Sequence, residues 1–197
     1  MKTSNLFKKA IHAFDDANRQ DPNKETVDGE PVPKELIYGR RMSQQLDGLA
    51  PNASEELKLA VRCQHLERWK IPRNDYPKTR RGYHTWRNDL KKYHAKRAGE
   101  ILDDVGYKAA IIDRVKELVQ KKRIKTDPEA QLMEDVICLV FFNHYLAGFS
   151  EKHPDEKINK ILRKTWKKMS KDGHNYALNL DLSDEVKRYV KSAGLID

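Results

Sequence analysis

Apolar residues recur at helical spacing through most of this chain, and the strict alternation that a half-buried strand needs is absent. Leu6, Phe7, Ala10, Ile11 and Phe14 form one stripe and predict a first helix over residues 5–18. Residues 21–33, rich in Pro, Gly and Asp, read as a loop, and Pro33 suits the first position of a helix running to about Gly48. Asn52 and Glu55 make a capping box ahead of Leu57, Ala60, Val61 and Gln64, and this third helix is expected to end before Pro72. A loop over 71–82 gives way to a long helix from Tyr83 to Val105, closed by Gly106. A further helix covers 109–122 and ends in a basic cluster. Pro128 opens the most apolar segment, 132–149, which the pattern places at the centre of a bundle. Pro154 starts a helix with Ile158, Ile161, Leu162, Trp166 and Met169 at core spacing, and Ser183 caps a short last one ending at Gly194.

The pattern predicts an all-α protein, a single-domain bundle of about seven or eight helices. The 197 residues are read as one domain: an N-terminal helix and loop over 1–33, a core over 34–150, and C-terminal helices over 151–197. The N-terminus lacks a signal-peptide apolar core, and no stretch is expected to reach the length of a membrane span, residues 136–146 being too short. Cys63 and Cys138 are the only cysteines, which excludes a disulfide framework or a thiolate zinc cluster. A reducing, cytoplasmic setting with no membrane partner is the expectation.

Charge narrows the partner class. A formal net charge of +9 favours phosphate-bearing ligands or nucleic acid. Polar residues that interrupt the apolar stripes are the candidate chemistry. Gln64 and Arg68 share the buried side of the third helix, with His65 at its edge, while His94 lies beside the stripe of the long helix. Asp135, preceded by Glu134, falls in the most hydrophobic segment, where a carboxylate must be paired or bound to a cation. His65, His94 and Asp135 are therefore the candidate ligands of one divalent metal ion, with Glu67 or Glu134 orienting its water as a general base. Arg41, Gln64, Arg68, Arg87, Arg97 and Lys121 are the candidates for holding the ligand and its phosphate, and Trp69, Tyr76, Tyr83, Trp86 and Tyr93 for stacking a base.

The expected function is binding of a phosphorylated small molecule, of nucleotide class, in a central cleft, with metal-assisted hydrolysis as the reaction. Two alternatives come from other classes. One is a non-catalytic RNA-binding protein using the basic and aromatic region 76–97; the other is an interaction module whose buried polar network only fixes the core.

The motifs Arg-Cys-Gln-His-Leu-Glu-Arg-Trp-Lys-Ile-Pro-Arg at 62–73 and Gly-Tyr-His-Thr-Trp-Arg at 82–87 resemble the family called domain of unknown function 4202. Tyr-Gly-Arg-Arg-Met at 38–42, the segment 131–142 and Lys-Thr-Trp-Lys-Lys-Met-Ser at 164–170 are similar to it too. The order of features also resembles the metal-dependent HD phosphohydrolases, all-helical enzymes with a His-Asp pair at a helix end, a later His, and an Asp on a central helix. That likeness implies an HD-like arrangement with His65, His94 and Asp135 in those places. Leu66 stands where the paired aspartate would be, and Tyr38 or Arg41 where an early histidine would be, which implies either one metal rather than two or a former metal site now filled by arginine pairs.

Overall fold

Ser4 starts the first helix by accepting from the amide of Phe7, one of the N–H groups that a helix leaves without an internal partner. The computed structural model describes residues 4–180 and 182–195, and most of those residues are helical, as the hydrophobic spacing predicts. α1 spans Asn5–Arg19, α2 Lys34–Leu49, α3 Glu55–Arg62, α4 Arg80–Val105 and α5 Ala109–Val119. α6 covers Pro128–Val140, α7 Leu146–Ser150, α8 Asp155–Trp166, α9 Lys171–Leu178 and α10 Asp184–Ser192. Two compact units result: the chain up to Gln44 with Asn52–Lys122, and Gln45–Pro51 with the chain from Arg123 onward.

In the first unit α1, α3, α4 and α5 pack on one another. Phe14, Leu57, Val61, Leu90, Leu102, Val115 and Leu118 are among its buried side chains. Three departures from the sequence pattern shape the site. The loop over 21–33 contains a hairpin, β1 (Lys24–Val27) paired antiparallel with β2 (Glu30–Pro33). Its two-residue turn, Asp28-Gly29, has φ of 51° and 85°, the left-handed pair that lets a tight turn follow the strands' twist.

The second departure is the start of α3, whose cap is Ser54, accepting from the Leu57 amide at 3.1 Å, and not Asn52. The third has more consequence. α3 stops at Arg62, ten residues ahead of Pro72, and Glu67 sits in left-handed geometry (φ 51°) before a short 3₁₀ turn over Arg68–Lys70. Gln64, His65 and Arg68 therefore lie in a turn and not along a helix face, so helical spacing does not govern where they point.

Buried Asn18 holds these pieces together. Its side-chain oxygen accepts from the amide of Glu67 at 2.8 Å, and its amide donates to the carbonyl of Glu35 at 3.3 Å. Asp21 completes the tie by accepting from the Glu35 amide at 3.0 Å, which caps the start of α2.

The second unit is built round α6 and α7, joined by a π-helical turn over Phe141–Tyr145. Cys138, Leu139, Phe142 and Leu146 pack with Ile158, Leu162, Ala177 and Val190 in one buried cluster. The run Pro128–Ser150, 23 residues that contain an 18-residue window of mean hydropathy 1.3, is long and apolar enough to cross a membrane, contrary to the expectation from 136–146 alone. Half of that window is buried here, as befits a core helix. α9, which no stripe announces, begins at Ser170, whose hydroxyl accepts from the Gly173 amide.

Candidate functional site

Glu35, in the first turn of α2, brings His65 and Arg68 to one place. Its Oε2 lies 3.2 Å from Nδ1 of His65, and its Oε1 is 3.9 Å from Nε of Arg68. Nη1 of Arg68 approaches Nε2 of His65 at 3.4 Å, so the imidazole stands between a carboxylate and a guanidinium. Tyr38 stacks on the His65 ring at 4.0 Å between centroids, and its hydroxyl donates to Oε1 of Gln64 at 2.9 Å. The guanidinium of Arg68 also lies over Trp86, 4.8 Å from the ring centroid.

This arrangement fixes protonation states. Arg68 has only donors, so Nε2 of His65 is the accepting nitrogen and Nδ1 carries the hydrogen that Glu35 accepts. Burial, reinforced by the charges of Arg68, Arg87, Lys121 and Lys34, holds the pKa of His65 well below the ordinary imidazole range. Burial pushes Glu35 up, against the opposing pull of Arg68, Lys34 and His94. The thiol of Cys63 is also raised by burial, which leaves it protonated and a poor nucleophile.

His94 joins the group from α4, its ring centroid 5.9 Å from that of His65. Its Nδ1 donates to the carbonyl of Leu66 at 2.7 Å, and burial, the first cause, with the neighbouring His65 lowers its pKa to about 3. The remaining nitrogen, Nε2, is buried and has no hydrogen-bond partner. It is an acceptor without a donor, beside the Glu35–His65–Arg68 group.

Glu35 and Arg68 open onto a cleft of about 700 Å³ lined by Lys24, Lys34, Trp69, Arg73 and Trp86. The hairpin supplies Lys24, α2 supplies Lys34, and the turns after α3 supply Trp69 and Arg73. Arg73 is tied by donating to the carbonyls of Tyr76 and Pro77, each at 2.9 Å, which stiffens that wall. Trp86 is fixed by donating to the carbonyl of Ile71 at 2.9 Å. Gly82 permits the tight entry into α4: a Cβ there would meet the Pro77 carbonyl oxygen at 2.2 Å.

A family profile matches residues 8–190, a span that includes every residue of this cleft. The chain belongs to the family described as domain of unknown function (DUF4202). No curated protein and no solved structure matches the chain.

Other candidates in the first unit are engaged elsewhere. Glu67 accepts from the Tyr93 hydroxyl at 2.8 Å and from Nε of Arg97 at 3.1 Å. Arg97 also donates to Glu100, and Arg41 pairs with Glu25 of the hairpin. Arg87 and Lys121 act on His65 through charge, Lys121 from a left-handed backbone position (φ 58°).

Asp135 and Glu134 belong to the second unit. Oδ1 of Asp135 accepts from the Ser170 amide at 2.8 Å and from Nε2 of Gln131 at 3.0 Å, while Oδ2 accepts from the Ser170 hydroxyl at 2.6 Å. Glu134 lies 3.6 Å from Nζ of Lys168. The buried carboxylate of Asp135 is thus satisfied by three donors and needs no cation. His65, for its part, has a guanidinium against the nitrogen that a metal would take. Among the described residues no group of three or more His, Cys, Asp or Glu is arranged to hold a metal ion. The donor set does not fit the divalent metal that the HD-like reading implies, and no step is derived through one.

Glu35, Asn18, Lys24 and Lys34 were not legible as site residues from the sequence. Only the Asp28-Gly29 pair, a hairpin signal, hinted that Lys24 would be carried on a fixed element.

Proposed function

We propose that the first unit binds a phosphorylated small molecule, of nucleotide class, in the cleft lined by Lys24, Lys34, Arg68 and Arg73, and that the protein is a phosphohydrolase. The observation that carries this reading is the lining itself: four cations and two indoles around a cleft of about 700 Å³, with Glu35, the partner of His65, in its wall. Guanidinium and ammonium groups suit a phosphate, and the indole of Trp69 offers a face for a base. His65, neutral and oriented by Glu35, supplies the base that takes a proton from the attacking water, which then adds to phosphorus as the ester oxygen leaves.

A panel of nucleoside mono-, di- and triphosphates tests this in two readouts, thermal shift for binding and phosphate release for turnover. The reading expects a stabilising ligand and a phosphate release that His65→Gln lowers by roughly 10²–10⁴-fold. No stabilisation by any member, or release indifferent to His65, would overturn it.

One observation favours RNA as a second reading. Tyr83 is 44% exposed at the start of α4 and is flanked by exposed Arg80, Arg81 and His84. This reading requires RNA affinity that falls steeply with salt and is lost in Tyr83→Ala.

A further inference from the structure

We propose that Arg68 is a ligand-operated cap on His65: in the free protein its guanidinium occupies the Nε2 lone pair, and a phosphate bound in the cleft draws it off and frees that nitrogen. This deepens the phosphate-binding reading of the same cleft and rests on it.

The geometry supplies both halves of the device. Nε2 of His65 has Nη1 of Arg68 at 3.4 Å, while Nδ1 is turned to Glu35 at 3.2 Å. The base that the proposed chemistry needs is therefore covered at rest. The cover is loosely held. Its link to Glu35 is 3.9 Å long, its contact with His65 is at the outer limit of a hydrogen bond, and the face of Trp86 is non-directional support. Arg68 also lines the cleft beside Lys24 and Lys34, so an anion collected there meets the guanidinium directly. Two parallel bonds to a phosphate are shorter and stronger than one long bond to an imidazole, so a phosphate that engages Nη1 pulls that nitrogen away from an imidazole it holds only at 3.4 Å.

The anion acts a second time through charge. It offsets Arg68, Arg87, Lys121 and Lys34, the cations whose field bears on His65. Displacement and neutralisation work in the same direction, and both depend on occupancy. A free site therefore keeps its base protected, and a filled site exposes it.

Histidine-selective ¹⁵N labelling with inorganic pyrophosphate as probe tests this on the full chain. The accepting nitrogen of His65 is expected to shift toward the position of an unbonded imidazole in step with saturation. Carbethoxylation of His65 by diethyl pyrocarbonate should speed up about tenfold, as when a charged hydrogen bond on the attacking lone pair is removed. Arg68→Met, which keeps the stem against Trp86 but has no donor, should show the shifted resonance and the faster reaction before any pyrophosphate is added. Pyrophosphate that saturates the protein and leaves the His65 resonance in place would overturn the cap alone. Absence of any saturable pyrophosphate binding, read by calorimetry on the same protein, would overturn the cleft reading and the cap with it. The wild-type titration decides the matter even where Arg68→Met does not fold.

Discussion

Glu35 Oε2 and His65 Nδ1 meet at 3.2 Å across thirty residues of sequence, joining the first turn of α2 to the turn that follows α3. The carboxylate sets the tautomer of the imidazole, leaving Nε2 as the nitrogen with a lone pair. Substitution of the two residues should therefore give different signatures. His65→Gln removes the base and should lower turnover by roughly 10²–10⁴-fold with little change in nucleotide affinity. Glu35→Gln removes a negative charge from a cationic cleft, so nucleotide affinity should hold or rise while turnover falls. Steady-state kinetics beside calorimetric affinities separate the two.

The buried histidines make folding stability depend on acid. His65 and His94 have folded pKa values below the unfolded value, His94 at about 3. Below about pH 6.5 the unfolded chain binds protons that the folded chain refuses, so stability is fully present above that value and drains away as pH falls toward about 3. Glu35, raised by burial, works the other way: its contribution is present below the unfolded carboxyl pKa and is lost as pH rises through the folded one. Urea midpoints between pH 7.5 and pH 4 should fall (on the order of a few kcal/mol for His94 over its whole range). His94→Asn, which keeps a donor for the Leu66 carbonyl, should flatten the slope by about one proton. An unchanged slope would contradict the assignment.

Asn18→Ala should cost about 1–3 kcal/mol, because the Glu67 amide and the Glu35 carbonyl both lose their partner in a buried place. The same change should loosen the site, since those two bonds hold its segments in register. Denaturant unfolding measures the first effect. A selective rise in amide exchange at Glu67 and Glu35 measures the second.

Asp135→Ala should behave as a structural lesion. Removing the carboxylate takes the acceptor from the Ser170 amide and hydroxyl, leaves Gln131 only the Lys168 carbonyl, and should destabilise the protein by about 1–3 kcal/mol. Nucleotide affinity of the folded fraction should not change. A selective loss of affinity or turnover, with stability intact, would restore Asp135 to the chemistry.

The helices were legible because apolar stripes such as Leu6–Phe14 and Ile158–Met169 repeat at helical period, and local signals such as Gly106 after α4 mark their ends. His65 and His94 also stood out, since ionisable groups beside apolar stripes need partners. The partners themselves were not legible. Glu35 reads locally as an ordinary acidic residue in a helix's first turn, and only folding brings it to His65. The break at Glu67 was hidden because a glutamate carries no left-handed preference; its geometry is imposed by Asn18, 49 residues away. Asp135 was recognised as needing a partner, but Ser170 caps a helix too short and too polar to show a stripe. Pro31 and Pro33 obscured the hairpin, since an edge strand tolerates prolines that argue against a central one.

The proposed uptake of a phosphorylated ligand by the cleft lined by Glu35 and Arg68 is open to direct measurement. Isothermal titration of a nucleoside triphosphate panel into the wild-type chain and into a Lys24→Gln/Lys34→Gln variant tests it most directly, because both lysines line the cleft and neither carries a helix cap or a core contact in this account. Saturable binding of at least one member to the wild type, weakened about tenfold or more in the variant and further by added salt, is the predicted result. Equal affinity in both proteins, or no binding to either, would contradict it.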